Sequence, residues 1–192
     1  MEQSRNDPAD DVRFESRTET LGRMSPEAYL AFEAMQTLRH EYVDGWLYAM
    51  VGASRRHEDI ATNLTIAWGT HLKGNPCRVY KGDLKLRVGN DFYYPDVMVR
   101  CGDEPGDQLF EAAPVFIAEV LSPSTRRYDR SDKLAIYRKL ESLEAYALIE
   151  RDVMRVSVYR QGADEPELLT LPNEELRLPS LGFAMTLADL YD

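Results

Sequence analysis

The sequence predicts a mixed α/β sheet within a single domain, and three observations lead there. A nearly continuous apolar run, VFIAEVL at 115–121, has the character of a central strand buried on both faces. The stretch 57–73 repeats Ile60, Leu64, Trp68 and Leu72 at helical spacing. Alternating apolar residues flank Asp44-Gly45, a pair suited to a tight hairpin.

Each element follows from local chemistry. Residues 1–23 mix charged and polar side chains without apolar periodicity, which predicts a flexible arm ahead of one domain over 24–192. Ser25-Pro26-Glu27 is a helix start, with Ser capping and Pro at the first helical position, and the helix is expected to reach about Gln36. The hairpin over 40–50 comes next, then the helix over 57–73, closed by Gly74-Asn75-Pro76. Segments 78–88 and 92–101 read as strands around the turn Gly89-Asn90-Asp91. The loop 102–113 leads into the central run, and a further helix is expected over 131–142, burying Leu134, Ile136, Tyr137 and Leu140. Two more strands, 145–150 and 153–160, complete the pattern of helix, hairpin, helix, three strands, helix and two strands.

Composition narrows the function. The 192 residues are 44 % hydrophobic and 29 % charged, as in a globular protein, and no apolar run is long enough to span a membrane. The polar N-terminus lacks the apolar core of a signal peptide, so a cytoplasmic location is expected. Cys77 and Cys101, 24 positions apart with no second cysteine near either, exclude a zinc ribbon and a disulfide scaffold. With only three histidines, a bound metal would be a hard cation on carboxylates. The net charge of −10 argues against indiscriminate nucleic-acid binding. Its distribution is uneven: residues 51–100 carry eight Lys/Arg against five Asp/Glu, and 120–140 carry six against two, whereas 101–119 and 141–192 are acidic.

The chemistry points to acidic residues inside apolar strands. Asp96 follows Pro95 within YYPDVMV, and Glu119 lies inside FIAEVL. A lone carboxylate in a strand interior is costly unless it is paired or binds a metal. Two that converge make a hard-cation site with room for water and substrate oxygens; the alternative is salt bridging to Arg100 or Arg126. After Ser122-Pro123-Ser124-Thr125 comes a basic cluster, Arg126, Arg127, Arg130 and Lys133, suited to a polyanion whose phosphate approaches the metal. Asp83 and Lys85 would share one face of the strand 78–88 and could edge the site. Tyr93 and Tyr94 could stack on bases, although strand aromatics are usually core.

The segments YYPDVMV, PVFIAEVLSPSTRRYDRSDKLAIY and LEAYALIE, preceded by HEYVDGWLYAMVGASRRHEDI, resemble the Uma-type endonuclease-like family. That family is a branch of the PD-(D/E)XK nuclease superfamily catalogued as a domain of unknown function. The resemblance implies an α/β fold with a restriction-endonuclease-like core, a four-stranded mixed sheet flanked by helices, carrying an N-terminal helix and β-hairpin. It implies Asp96 and Glu119 as carboxylates holding Mg2+ or Mn2+. The superfamily places a lysine two residues after the glutamate. Here that position is Leu121, and the family's alternative lysine matches Lys133. Glu41 and His57 match further family positions. For Lys133 the alternative is a surface lysine paired with Asp129; for Glu41, a salt bridge to Arg39 or Arg55; for His57, a structural histidine at a helix start. Asp129 reads as a helix N-terminal carboxylate.

The expected function is therefore a metal-dependent DNA endonuclease. Asp96, Glu119, Lys133 and Glu41 would form the catalytic set. Arg55, Arg56, Lys85, Arg126, Arg127 and Arg130 would lie along the nucleic acid, with His57 and Asp83 as further candidates. The resemblance also implies a homodimer. Two alternatives stay open: a weakly active or inactive nucleic-acid-interaction module, and a hydrolase of small phosphorylated substrates.

Overall fold

The computed structural model describes residues 22–50, 52–102, 109–122 and 126–192. The arm expected over 1–23 lies, for residues 1–21, outside the described residues.

The chain opens with α1 (Pro26–Glu33), whose N-cap Ser25 accepts a hydrogen bond from the Ala28 N–H. β1 (His40–Val43) and β2 (Trp46–Ala49) form the hairpin expected at Asp44-Gly45. Both turn residues have positive φ, 49° and 84°, as the tightest hairpin turns require. α2 (Arg55–His71) is capped by Ser54 and presents Ile60, Ala61, Leu64 and Trp68 inward.

The stretch expected as one strand over 78–88 is two, β3 (Arg78–Lys81) and β4 (Lys85–Val88). Gly82, at φ 60°, turns the chain between them. The stretch 92–101 also divides, into β5 (Asp91–Tyr93) and β6 (Val97–Arg100), because Pro95 interrupts the ladder. β7 (Phe110–Glu111) is brief, and β8 (Pro114–Leu121) is the buried central strand.

The helix expected over 131–142 is instead α3 (Arg126–Tyr128), a π-helical turn over Asp129–Lys133, and α4 (Leu134–Tyr137). β9 (Ala145–Glu150) and β10 (Val156–Arg160) follow. The acidic tail adds β11 (Glu167–Leu169), β12 (Glu175–Leu178), β13 (Phe183–Thr186) and α5 (Leu187–Tyr191).

These strands form a six-stranded sheet ordered β11-β10-β9-β8-β6-β3 and a five-stranded sheet ordered β2-β1-β5-β4-β7. β12 and β13 make a separate hairpin. The main sheet is mixed, parallel between β8 and β9 and antiparallel elsewhere, and is two strands wider than the four-stranded core expected. On one face Val97, Phe116, Ala118, Ala147 and Ile149 pack against α2, the β12–β13 hairpin and α5. On the other, Met98, Ile117, Leu121, Tyr146 and Leu148 meet Tyr128 and Tyr137 of the interrupted helix and Leu86 and Tyr93 of the second sheet. β8 is sealed on both sides, which accounts for its unbroken apolar run.

The cysteines correct the sequence reading, because Cys77 and Cys101 form a disulfide with each other. Arg78 pairs with Arg100 across antiparallel β3 and β6, so residues 77 and 101 meet one step past the ladder despite their separation in sequence. A surface cavity lined by Leu72, Lys73, Cys77 and Val79 lies at this end of β3.

The tail is part of the core. The Phe183 ring stacks on the fully buried Trp68, with centroids 3.6 Å apart and planes inclined by 9°. Phe183→Ala should therefore cost about 3–5 kcal/mol, as for a large aromatic truncation in a packed interior. Urea denaturation checks this; a loss under about 1 kcal/mol would mean that the tail only rests on the domain.

Candidate active site

The site forms where the two sheets join. Val97 pairs with Ala118, so continuing the antiparallel register sets Asp96 opposite Glu119. Asp96 stands just past the break at Pro95, where the chain leaves the five-stranded sheet for the main one. Its Oδ2 accepts a 2.7 Å hydrogen bond from the Val120 N–H, and its own N–H donates to Glu119 Oε2 at 3.3 Å. The side chain is 20 % exposed, leaving one approach open.

His57, in the first turn of α2, places Nε2 3.1 Å from Asp96 Oδ1. Burial lowers the imidazole pKa, but the hydrogen bond and charge of Asp96 outweigh it, so the net shift is upward.

Glu119 is almost fully buried. Its Oε1 accepts from Lys133 Nζ at 2.9 Å and from the Tyr137 hydroxyl at 3.3 Å. Lys133 Nζ also lies 2.9 Å from Glu41 Oε1 on β1 and 3.5 Å from Asp129 Oδ1. The Tyr94 N–H donates to the same Glu41 oxygen at 3.4 Å. One ammonium group therefore serves three carboxylates drawn from both sheets and the π-helical turn.

Burial raises the Glu119 pKa well above its ordinary range; Lys133 opposes this, and Asp96 and Asp129 add to it. Burial lowers the Lys133 pKa, but Glu119 and Glu41 override it and hold the amine well above its ordinary value. The cation is locked on while the carboxylates around it remain in excess.

Leu121 stands two residues beyond Glu119 and so on the same strand face. It is fully buried in the apolar cluster beneath Tyr128 and Tyr137. Lys133 reaches Glu119 from the helical segment packed over that face. Strand and helix have thus divided the roles, one giving an apolar floor and the other the ammonium.

The remaining candidates separate. Arg126 and Arg130 both pair with Glu150, and Arg100 pairs with Glu111 rather than either strand carboxylate. Arg55 and Arg56 are exposed at the start of α2, with Arg56 5.7 Å over the Tyr191 ring; Arg127 is exposed on α3. Asp83 and Lys85 do not share a strand face: Asp83 lies in the bend between β3 and β4 and pairs with Arg39. Lys85 begins β4 in the other sheet, with Nζ 5.5 Å from the Tyr94 ring centre. Tyr93 and Tyr94 are buried in the interior, and Tyr94 donates to buried Glu33 at 2.9 Å.

Three groups escaped sequence reasoning. The Tyr137 hydroxyl had been read only as a buried face. Glu33 was hidden inside a short helix. Glu150 ends the apolar run AYALIE and carried the same signal as Glu119, an acid within a hydrophobic strand.

A mixed sheet flanked by helices, with Asp96 and Glu119 near the ends of two interior strands, is a restriction-endonuclease-like α/β fold. Residues 26–188 match the Uma2 family model, described as "Putative restriction endonuclease", and the chain belongs to that family. Two uncharacterized proteins of Synechocystis sp. are similar to it. One, slr1290, is 35 % identical over 88 % of this chain and 92 % of its own. The other, sll1609, is 31 % identical over 74 % and 83 %. The fold is also that of a crystal structure from Anabaena variabilis titled as a putative nuclease belonging to DUF820. Its TM-score is 0.76 at 20 % identity, covering 88 % of this chain and 97 % of that one.

Lys133→Met should lower stability by about 3–5 kcal/mol at neutral pH, because it strands buried carboxylates without their cation. The deficit should shrink on acidification. A carboxyl whose folded pKa is raised, as at Glu119, gives stability that is present below its ordinary value of 4.5 and lost as pH rises through the folded value. Urea midpoints of wild type and variant across pH check the sign; a deficit that grows toward acid would refute it.

Proposed function

We propose that this chain is a divalent-metal-dependent phosphodiesterase that cleaves DNA. The observation that carries the reading is the excess of acid: Glu119, Glu41 and Asp129 are buried around Lys133, and the partly exposed Asp96 lies beside Glu119 with His57 on its other oxygen. Such a cluster is stabilised by a cation that the protein chain does not itself supply. Among the described residues no three His, Cys, Asp or Glu side chains are grouped as a ready ligand set. The donors present fit an ion that takes two protein carboxylates and fills its other positions with water and phosphate oxygens, the preference of Mg2+, with Mn2+ as a close substitute.

Asp96 and Glu119 would hold that ion. When bound, it polarises the scissile phosphate and lowers the pKa of a coordinated water. The chain's own residues do the rest. His57 fixes the Asp96 carboxylate, and Tyr137 and Lys133 fix that of Glu119. Glu41 and Asp129 keep Lys133 charged and aimed into the site, where an ammonium stabilises negative charge building on phosphate oxygens. Arg55, Arg56, Arg126, Arg127 and Arg130 would meet the DNA backbone, and a second copy of the chain would double that basic face.

Among the described residues no helix is long and apolar enough to cross a membrane. A small-phosphate hydrolase could share the carboxylate site, and salt separates the two readings. Duplex binding through several phosphates weakens steeply with salt, whereas a small substrate responds weakly.

Calorimetric titration with Mg2+ and Mn2+, run beside nicking of supercoiled plasmid, tests the reading. Wild type should bind and nick, and Asp96→Asn should do neither; nicking that survives in Asp96→Asn would remove the assignment. Lys133→Met should slow nicking about 10²–10³-fold, as does loss of one preorganised charge-stabilising donor. Adding Leu121→Lys to that variant should recover part of the rate, since position 121 lies on the Glu119 face.

A further inference from the structure

Glu150 is a buried acid that the mechanism above does not use. It ends β9 beside Leu121 of β8, two residues past Leu148, which pairs with Glu119. It therefore lies on the Glu119 face, displaced about 7 Å along the strands. Its backbone is tied on both sides: the carbonyl accepts from the Tyr191 hydroxyl at 2.7 Å, and the N–H donates to the Arg155 carbonyl at 2.9 Å. These bonds hold the Glu150 backbone at the end of β9, and its side chain is held by its arginine partners.

That carboxylate receives two arginines. Arg130 Nη2 lies 2.5 Å from Oε1 and Arg126 Nη2 lies 2.7 Å from Oε2. Glu150 is 4 % exposed at its side chain, but Arg126 and Arg130 are 46 % and 36 % exposed. Each guanidinium has five N–H donors in a rigid fork; the carboxylate accepts a hydrogen bond from Arg130 Nη2 and is ion-paired with Arg126, without hydrogen-bond geometry at Oε2. The other donors stay available toward solvent. Two guanidinium groups around one carboxylate retain a net positive charge, enough for one phosphodiester. Arg130 belongs to the π-helical turn that also supplies Asp129 and Lys133, so the pair is carried by the same element as the site's lysine.

We infer that Glu150 is a positioning residue, holding Arg126 and Arg130 together as a grip for a single DNA phosphate beside the scissile one. This rests on the nuclease reading above. An exposed arginine alone would sample many rotamers, and fixing it on binding costs side-chain entropy. Glu150 removes part of that cost in advance.

The inference has an unusual sign, which makes it testable. Removing a negative charge near a DNA-binding surface ordinarily tightens binding. Here Glu150→Gln should weaken it. The probe is a short fluorescein-labelled duplex titrated in EDTA across a salt series. Glu150→Gln should bind about tenfold less tightly, the effect of one lost charge-assisted contact, and the salt slope should flatten by about one. In plasmid nicking, KM should rise while kcat holds. In an Arg126→Ala/Arg130→Ala background, Glu150→Gln should change nothing further.

Tighter or unchanged binding by Glu150→Gln would overturn the inference and leave the nuclease reading standing. Failure of wild type to bind the duplex at all would overturn both. Should Glu150→Gln not fold, Arg126→Lys/Arg130→Lys serves instead. It keeps the charge but not the fork and should weaken binding similarly; full affinity in that variant would count against positioning.

Discussion

The ammonium of Lys133 is the interaction on which the rest of the site depends. It is buried, held within 2.9 Å of both Glu119 and Glu41, and reaches Asp129 at 3.5 Å. Those partners sit on the central strand of one sheet, the hairpin of the other, and the turn that carries Lys133 itself. A single charge thus ties together three pieces of the chain. The π-helical turn is how the chain achieves this: its wider winding buries both Asp129 and Lys133, where a straight α-helix starting at Ser131 had been expected. Burying so much acid has little value for stability alone, since apolar residues of similar size generally serve as well or better. Under the function proposed above, a further cation would complete the site.

The second constraint is the break at Tyr94-Pro95-Asp96. Proline cannot donate to a ladder, so the strand ends there and the chain passes from one sheet to the other. The residue after the break lies just before an interior strand and is 20 % exposed, yet its register still faces Glu119. Asp96 is therefore more accessible than its partner. The fold gives one carboxylate that can meet solvent and one that cannot, and α2 covers the first with His57.

Much of this was legible in the sequence because periodicity reports burial directly. α2, the Asp44-Gly45 hairpin and β8 each carry a strong repeat, and Asp96 and Glu119 stand out as charges where apolar residues belong. The split at Gly82 was less visible: the apolar positions of 78–88 continue across it, and only the positive φ reveals the turn. Asp83 and Lys85 were consequently assigned to one face when they belong to separate elements. The tail strands escaped because each is only three or four residues long and rich in charge. Their contribution is tertiary, through Phe183 on Trp68 and Tyr191 on Glu150. The cysteine pair escaped for a similar reason, since sequence separation says nothing of partners across a ladder.

Net charge was the least informative quantity, and the structure explains why. Exposed charges separated by more than about 10 Å are largely screened at moderate salt. Much of the tail's acid is also neutralised locally, as in Arg160 with Glu167 and Arg177 with Glu175. Under the proposed function, a phosphate near Arg126 and Arg130 would feel those groups rather than the sum over 192 residues. There, two arginines share one buried acid, and the carboxylates behind them are turned inward around Lys133. An acidic protein can present a locally cationic entrance, provided its acids are either paired on the surface or buried where a metal would use them. The two roles of carboxylate in this fold, holding arginines outward at Glu150 and gathering around a cation inward at Glu119, are then one solution to the same electrostatic problem.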